Sequence, residues 1–234
     1  MSGKFREVIM RRKEELVTGE IYHIYNKSIA DFKIFNNDIE FSRMIDIIKY
    51  YQIETMPVKF SQFMMLEKVK EEGFNSNFIF VSQGKEKFVQ IIAYCIMPTH
   101  FHLILKQLKE NGVSIFTGNI LNSYSHYFNT KHNRKGPLWE GRFKNVLVKT
   151  DEQLLHLTRY VHLNPVTAFL VDRPGQWPAS SYREYLLEIN EIDRICKYDD
   201  ILDIEPVSYS KFVEERISEQ RERALIKEAL FDEA

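Results

Sequence analysis

Cysteine is scarce in this 234-residue chain, which carries only Cys95 and Cys196. Two distant thiols make neither a disulfide framework nor a zinc-finger spacing, so the small stapled secreted folds are excluded. Cys95 sits in an apolar run and reads as a small buried hydrophobe, and a reducing cytoplasm is the expected location. Long apolar runs are missing as well. Nothing approaches the roughly 20 residues needed to cross a bilayer. The opening MSGKFREVIMRRKEEL lacks the apolar stretch of a secretory signal, so no membrane partner is expected. Charge of one sign is the third absence. Against 32 Lys and Arg stand 33 Asp and Glu, a balance that argues against indiscriminate binding to polyanions.

What is present is a chain of ordinary globular composition, 44% hydrophobic and 28% charged, large enough for one domain with additions. The balanced total hides an asymmetry. Between Lys131 and Lys149 six basic residues (Lys131, Arg134, Lys135, Arg142, Lys144 and Lys149) face one acid, Glu140. From Glu184 onward acids outnumber bases by about two to one. A basic stripe beside an acidic tail suits a protein with one defined polyanion-binding face.

The most informative run is YCIMPTHFHLIL, Tyr94 to Leu105. Alternation along a strand puts His100 and His102 on one face and Phe101 on the other. Two imidazoles side by side form half of a divalent-metal site with open positions. Alone, such a pair is more often structural than metal-binding. A second constellation, YVHLNP at Tyr160 to Pro165, ends a helix that starts near Asp151. Tyr160 and Asn164 lie four apart on one helix face, where a phenol nucleophile and an amide oxygen could complete the histidine site. A buried tyrosine donating one hydrogen bond is the competing reading of Tyr160. His156 lies one turn earlier on the same side, and Pro165 is expected to terminate the helix.

Around these runs, Gly19 to Ser28 reads as a first strand. His23 within it could be a third metal ligand, although a strand histidine is more often packed or hydrogen-bonded. Asn37 or Asp38 caps a helix reaching about Tyr51. Residues 58–82 mix strand and helix signals. Lys87 to Met97 is a strand joined to the histidine strand by a Pro98-Thr99 turn, as an antiparallel pair at the centre of the sheet. A helix follows over Val113 to Lys131, then LWEGRFKNVLV, a likewise extended stretch where Arg142 and Lys144 alternate with Phe143. Basic residues interleaved with Trp139 and Phe143 suit phosphate pairing and base stacking. An exposed polar edge whose aromatics face the core is the alternative.

Four blocks in order, GEIYHIYNKS, AYCIMPTHFHLIL, GPLWEGRFKNVLV and RYVHLNPVTAFLV, followed by WPASSY, resemble the HUH single-tyrosine transposases of the insertion-sequence-200-like superfamily. The resemblance is to the REP-associated tyrosine transposases in particular and spans about residues 15–185. It implies an α+β fold, a ferredoxin-like antiparallel sheet backed by helices with the histidine strand central. That fold needs one strand near residues 58–82, so part of this segment is a candidate insertion. The expected organisation is an N-terminal arm (1–17), a transposase domain (18–183) and an acidic, mainly helical C-terminal extension (184–234), with helix over Ser210 to Leu230.

The resemblance also implies an activity: metal-dependent cleavage and rejoining of hairpin-bearing single-stranded DNA through a 5′-phosphotyrosine link. Tyr160 would be the nucleophile. His100, His102 and Asn164 would hold Mg2+ or Mn2+, and His156 would be a helper or a DNA contact. Lys131, Arg134, Lys135, Trp139, Arg142 and Lys144, together with the 113–131 helix, would grip the DNA, in a monomer or a homodimer. The family pattern usually has Arg and Gly where this chain has Thr167 and Phe169, a departure that touches DNA contacts rather than chemistry. Two other readings carry the same residues differently: a replication-initiator-like HUH nicking enzyme, and a domesticated, non-catalytic hairpin binder.

Overall fold

The computed structural model describes residues 15–232. The expected N-terminal arm lies outside the described residues up to position 14. The chain opens with strand β1 (Ile21–Lys27) and helix α1 (Asp38–Tyr51), then three short helices, α2 (Phe60–Phe63), α3 (Glu67–Glu72) and α4 (Phe74–Ser82). Strands β2 (Val89–Ile96) and β3 (His100–Gln107) follow, then helix α5 (Gly112–Lys131), strand β4 (Lys144–Val148) and helix α6 (Asp151–Thr167). Helices α7 (Tyr182–Tyr185), α8 (Pro206–Glu214) and α9 (Ile217–Asp232) complete the order. The sheet runs β2-β3-β1-β4 with every pairing antiparallel, so the histidine strand β3 is interior, as the sequence led us to expect. Its hairpin partner β2 lies at the edge and not at the centre, because β1 pairs on the other side of β3.

Alternation along β3 sorts the two faces of the sheet. Phe101 packs edge-on against Trp139, which in turn meets Tyr124 of α5. Its neighbour His102 points to the other layer and meets Tyr160 of α6. One face is thus sealed by α1 and α5 around Met44, Ile47, Ile48, Phe116 and Ile120, all fully buried. The other carries the imidazoles and α6. Local chemistry starts each helix where expected. The Asn37 side chain accepts from the Glu40 N–H at 3.2 Å, and Thr150 Oγ1 accepts from the Gln153 N–H at 3.1 Å.

Four further expectations need correction. Residues 58–82 form three helices and no strand. The aromatics Phe60/Phe63 and Phe74/Phe78 recur at helical spacing and cluster with Tyr50. The LWEGRFKNVLV stretch is strand only from Lys144, because 139–143 bends to bury Trp139 and Phe143, each 9% exposed. The helix expected over 210–230 is broken between α8 and α9 at Glu215–Arg216. Pro165 does not stop α6, which continues to Thr167. So near the C-terminus a proline deletes only one helical N–H bond, and its fixed φ is itself helical.

The stop comes from Phe169, held at φ 55°. The Phe169 N–H donates to the Val166 carbonyl at 3.1 Å and the Leu170 N–H to the Pro165 carbonyl at 2.9 Å, the two bonds of a Schellman motif. That position favours glycine, the residue that the resemblance implies there. The departure at 169 therefore bears on backbone strain.

After α6 the chain runs along the outer edge of β2. The Ile96 N–H donates to Ala179 O, Ser181 N–H to Tyr94 O and Lys197 N–H to Ile91 O, at 2.8, 3.0 and 2.8 Å. This covers an edge that would otherwise expose unpaired backbone groups. The Trp177 indole donates to Ile96 O at 2.9 Å and so packs back on the edge of β2. Helices α8 and α9 lie against α6. Cys95 and Cys196 are both buried and unpaired, and burial raises both thiols. Among the described residues no helix is long and apolar enough to cross a membrane.

Candidate active site

His100 and His102 reach one cavity of 340 Å³, shared with Tyr160 and Asn164 from α6. Strand parity brings the imidazoles together, their ring centroids 5.1 Å apart and their planes at 90°. Helical spacing brings the phenol and the amide to the same opening. The Tyr160 ring stands edge-on to His102 at 5.7 Å and to His23 at 6.2 Å. Tyr160 is nonetheless 43% exposed, so a bulky substrate can approach it.

Each cavity histidine is held by its inner nitrogen. His100 Nδ1 lies 3.0 Å from the Thr99 hydroxyl, and His102 Nδ1 lies 2.9 Å from His23 Nε2. In both rings this leaves Nε2 for the cavity. Burial pushes His102 down to about 2, helped by the neighbouring imidazoles, and His23 to about 4. His100 is lowered too, chiefly by burial, with Asp31 opposing. The imidazoles are therefore neutral near pH 7, with lone pairs available. The Asn164 Nδ2 donates to its own helix, at the Tyr160 carbonyl 2.9 Å away, which frees the amide oxygen.

Two imidazole nitrogens and an amide oxygen, all uncommitted and all opening onto one cavity, fit a divalent cation of intermediate hardness. The rim adds charge: Lys27 lies 3.7 Å from Asp31 and 3.6 Å from Glu140, and Lys144 lies 6.0 Å from the Tyr25 ring. Burial raises the Tyr160 phenol above its ordinary value, with Asn164 opposing and Tyr25 adding to the rise. The Tyr160 phenol is thus protonated at rest, and to attack as a phenolate it would need a partner.

Not every expected residue joins this cavity. His156 sits against Phe212 of α8 and pairs with the Arg159 guanidinium at 2.8 Å, away from the cavity lining. A helper role for it at the phenol is corrected accordingly. Trp139 is corrected as well: its indole donates to Leu121 O at 3.2 Å inside the core, so its ring is not presented to a base.

The basic residues are dispersed. Lys144 lines the cavity. Lys131 pairs at 2.9 Å with the buried Glu40 and lines a separate groove between α1 and α5. Burial alone would raise Glu40, but bonds from Lys131, the Asn36 N–H and His132 hold it at about 2. Arg134 donates to Asn129 and Pro137 O at 3.1 and 2.8 Å, bracing its own loop. Lys135 and Arg142 are exposed.

The structure also brings in residues that sequence reasoning did not place. Thr99, Tyr25, Asn26, Lys27, Asp31 and Glu140 line the cavity. His23 takes a place behind His102 rather than in the cavity lining. The signal was strand parity: His23 and Tyr25 share a face of β1, and Tyr25 pairs directly with His102. Recognising it required the β1–β3 register.

A family model described as "Transposase IS200 like" matches residues 61–164, a span holding both histidines, Tyr160 and Asn164. Over that span the chain is similar to the IS200-like transposases. A curated relative from Haemophilus influenzae, named "Putative REP-associated tyrosine transposase", is 29% identical over 104 residues. That match covers 40% of this chain and 58% of the relative, so the chain spans little more than half the relative's length. Among solved structures, a REP-associated tyrosine transposase bound to a REP hairpin superposes with a TM-score of 0.50 and 16% identity. It covers 84% of this chain and 95% of that one, a likeness of fold. The α+β architecture seen in the sheet topology is thus also the fold of this solved relative.

Proposed function

We propose that this protein is a metal-dependent transposase that cleaves and rejoins single-stranded DNA at hairpin-bearing sites through a 5′-phosphotyrosine intermediate. The observation that carries the reading is the shared cavity. A half-exposed tyrosine, edge-on to the His102 ring, opens onto the same space as the His100 and His102 imidazoles. His100, His102 and the Asn164 amide oxygen would hold Mg2+ or Mn2+. Bound there, the ion would supply Lewis acidity to a phosphodiester oxygen.

The chain's own residues account for the rest. Lys27 and Lys144 on the rim neutralise phosphate charge and hold the strand. The Tyr160 oxygen attacks phosphorus in line as its proton leaves to solvent. A phosphorus–oxygen bond to tyrosine forms, and the bond to the 3′ oxygen breaks. That oxygen takes up a proton and leaves as a free 3′-hydroxyl. The phosphotyrosine retains the energy of the broken linkage, so a second 3′-hydroxyl can reverse the step at another site. The helix α5 and the exposed Lys135 and Arg142 offer further contacts to a DNA stem. A hairpin partner is in keeping with the hairpin bound by the fold relative.

The test is a denaturing gel of purified protein, Mn2+ or Mg2+ and labelled single-stranded DNA from the ends flanking its gene. A slowed covalent adduct is expected that requires metal and vanishes in Tyr160→Phe. Tight, metal-independent hairpin binding without an adduct would replace this reading by a non-catalytic binder. Adduct formation by Tyr160→Phe would remove Tyr160 as the nucleophile.

A further inference from the structure

We propose that His23 is the positioning residue of this site: it accepts the Nδ1–H of His102, fixing the tautomer and ring orientation that turn a bare His102 Nε2 toward the cavity. The inference rests on the transposase reading only for the identity of what fills the cavity.

The geometry is specific. His23 stands on β1, next to β3 in the sheet and on the same face as His102. Its Nε2 lies 2.9 Å from His102 Nδ1, and the rings are inclined by only 23° with centroids 5.1 Å apart. This is a bond made nearly in the plane of both rings, along the nitrogen lone pairs. Both side chains are buried, at 9% and 7% exposure, so water cannot take the place of either partner.

Two neutral imidazoles in contact share one proton between them. If it sits on His102, the outer nitrogen of His102 is bare. If it sits on His23, His102 points an N–H into the cavity, which repels a cation. His100 is held in the same way by the Thr99 hydroxyl, so both cavity rings are gripped from behind. The usual partner behind a metal-binding histidine is a carboxylate, a carbonyl or a water. An uncharged imidazole orients the ring without adding negative charge, and so leaves a bound cation more electrophilic toward a phosphodiester.

The first experiment needs no metal. Long-range proton–nitrogen NMR on the full-length, nitrogen-15-labelled protein reads each histidine tautomer directly. His102, assigned by the signal lost in His102→Gln, is expected as the Nδ1–H form, the less common one for imidazole in water. In His23→Phe that signal should give way to the Nε2–H form. Wild-type His102 found as Nε2–H overturns the proposal even if no variant folds.

The second readout is Mn2+ titration followed by electron paramagnetic resonance. His23→Phe should weaken binding by roughly 10- to 100-fold, as losses behind a metal ligand do. His23→Gln, whose amide oxygen accepts the same bond, should restore most of it. Unchanged Mn2+ affinity in a folded His23→Phe would sink the proposal and leave the transposase reading standing. A wild-type protein that binds no Mn2+ would instead refute the metal-dependent reading, with the tautomer spectrum still deciding the role of His23.

Discussion

Two buried histidine clusters flank helix α6, and they differ in one respect. His162 is sealed. Its Nδ1 meets the Tyr209 hydroxyl at 2.7 Å and its Nε2 the Ser181 hydroxyl at 2.8 Å, with the edges of Tyr182 and Tyr185 around it. His102 is held at Nδ1 by His23 and open at Nε2. Burial drives both far down, His162 to about 3 and His102 to about 2. A depressed pKa therefore does not separate them. What separates them is a nitrogen with nothing bound to it, facing a cavity. A perturbed titration marks burial; an unspent donor atom beside a nucleophile marks chemistry.

The largest effect should come from the open side. Tyr160→Phe is expected to abolish the covalent DNA adduct, a loss of roughly 10³-fold or more in cleavage, while the melting temperature barely moves because the hydroxyl is accessible. His102→Ala should abolish metal-dependent cleavage as well. Adduct yields alongside melting curves test both, and a stable His102→Ala that still cleaves would erase the distinction between the clusters.

On the sealed side the expected damage is to stability. His162→Phe takes the imidazole away from the buried Tyr209 hydroxyl, while Ser181 keeps its bonds to Tyr94, and should cost about 2 kcal/mol. Urea unfolding measures it. In whatever fraction remains folded, Mn2+ affinity should match the wild type. A tenfold change would mean that the two clusters are coupled through α6.

Acid gives a third, smaller contrast. Folded His162 takes up its proton near pH 3 and the unfolded side chain near pH 6.5, so the unfolded state gains protons first as pH falls. Its stability contribution is full above pH 6.5 and drains away toward pH 3, losing about 2 kcal/mol between pH 7 and pH 5. Denaturation series at those two pH values should show the drop. Mn2+ should recover stability lost through His102 but not through His162.

The smallest effect is a gain. Phe169 is 50% exposed and sits at φ 55°, under the Arg221 guanidinium 5.3 Å from its ring. Phe169→Gly relieves a left-handed non-glycine residue and should stabilise by up to about 1 kcal/mol. It serves as a control at the end of the helix that carries Tyr160 and His162: the melting temperature should rise slightly and the adduct yield stay the same.

Much of the fold was legible because its signals are local. Asn37 and Thr150 announced their helices, and the apolar runs through Val89–Ile96 and His100–Gln107 announced the β2–β3 hairpin, though not that β2 would lie at the sheet edge. The shared face of His100 and His102 followed from strand period, and that of Tyr160 and Asn164 from helix period. Other features depended on distant partners. Trp139 looked like a stacking platform until Phe35, Phe101 and Tyr124 closed around it. Lys131 looked free until Glu40, 91 positions earlier, took it. His156 shared a helix side with Tyr160 on paper, but α8 drew it away through Phe212.

The bond between His23 and His102 joins residues 79 positions apart on two adjacent strands. A slip of one residue in the β1–β3 ladder would turn His23 into the opposite layer and His102 would lose its anchor. Only chains with the correct strand alignment can then present both outer nitrogens to the same space. On the proposed metal site, the fraction of a preparation able to take up manganese would be a count of correctly registered molecules, and a refolding experiment could be followed by the ion rather than by the protein.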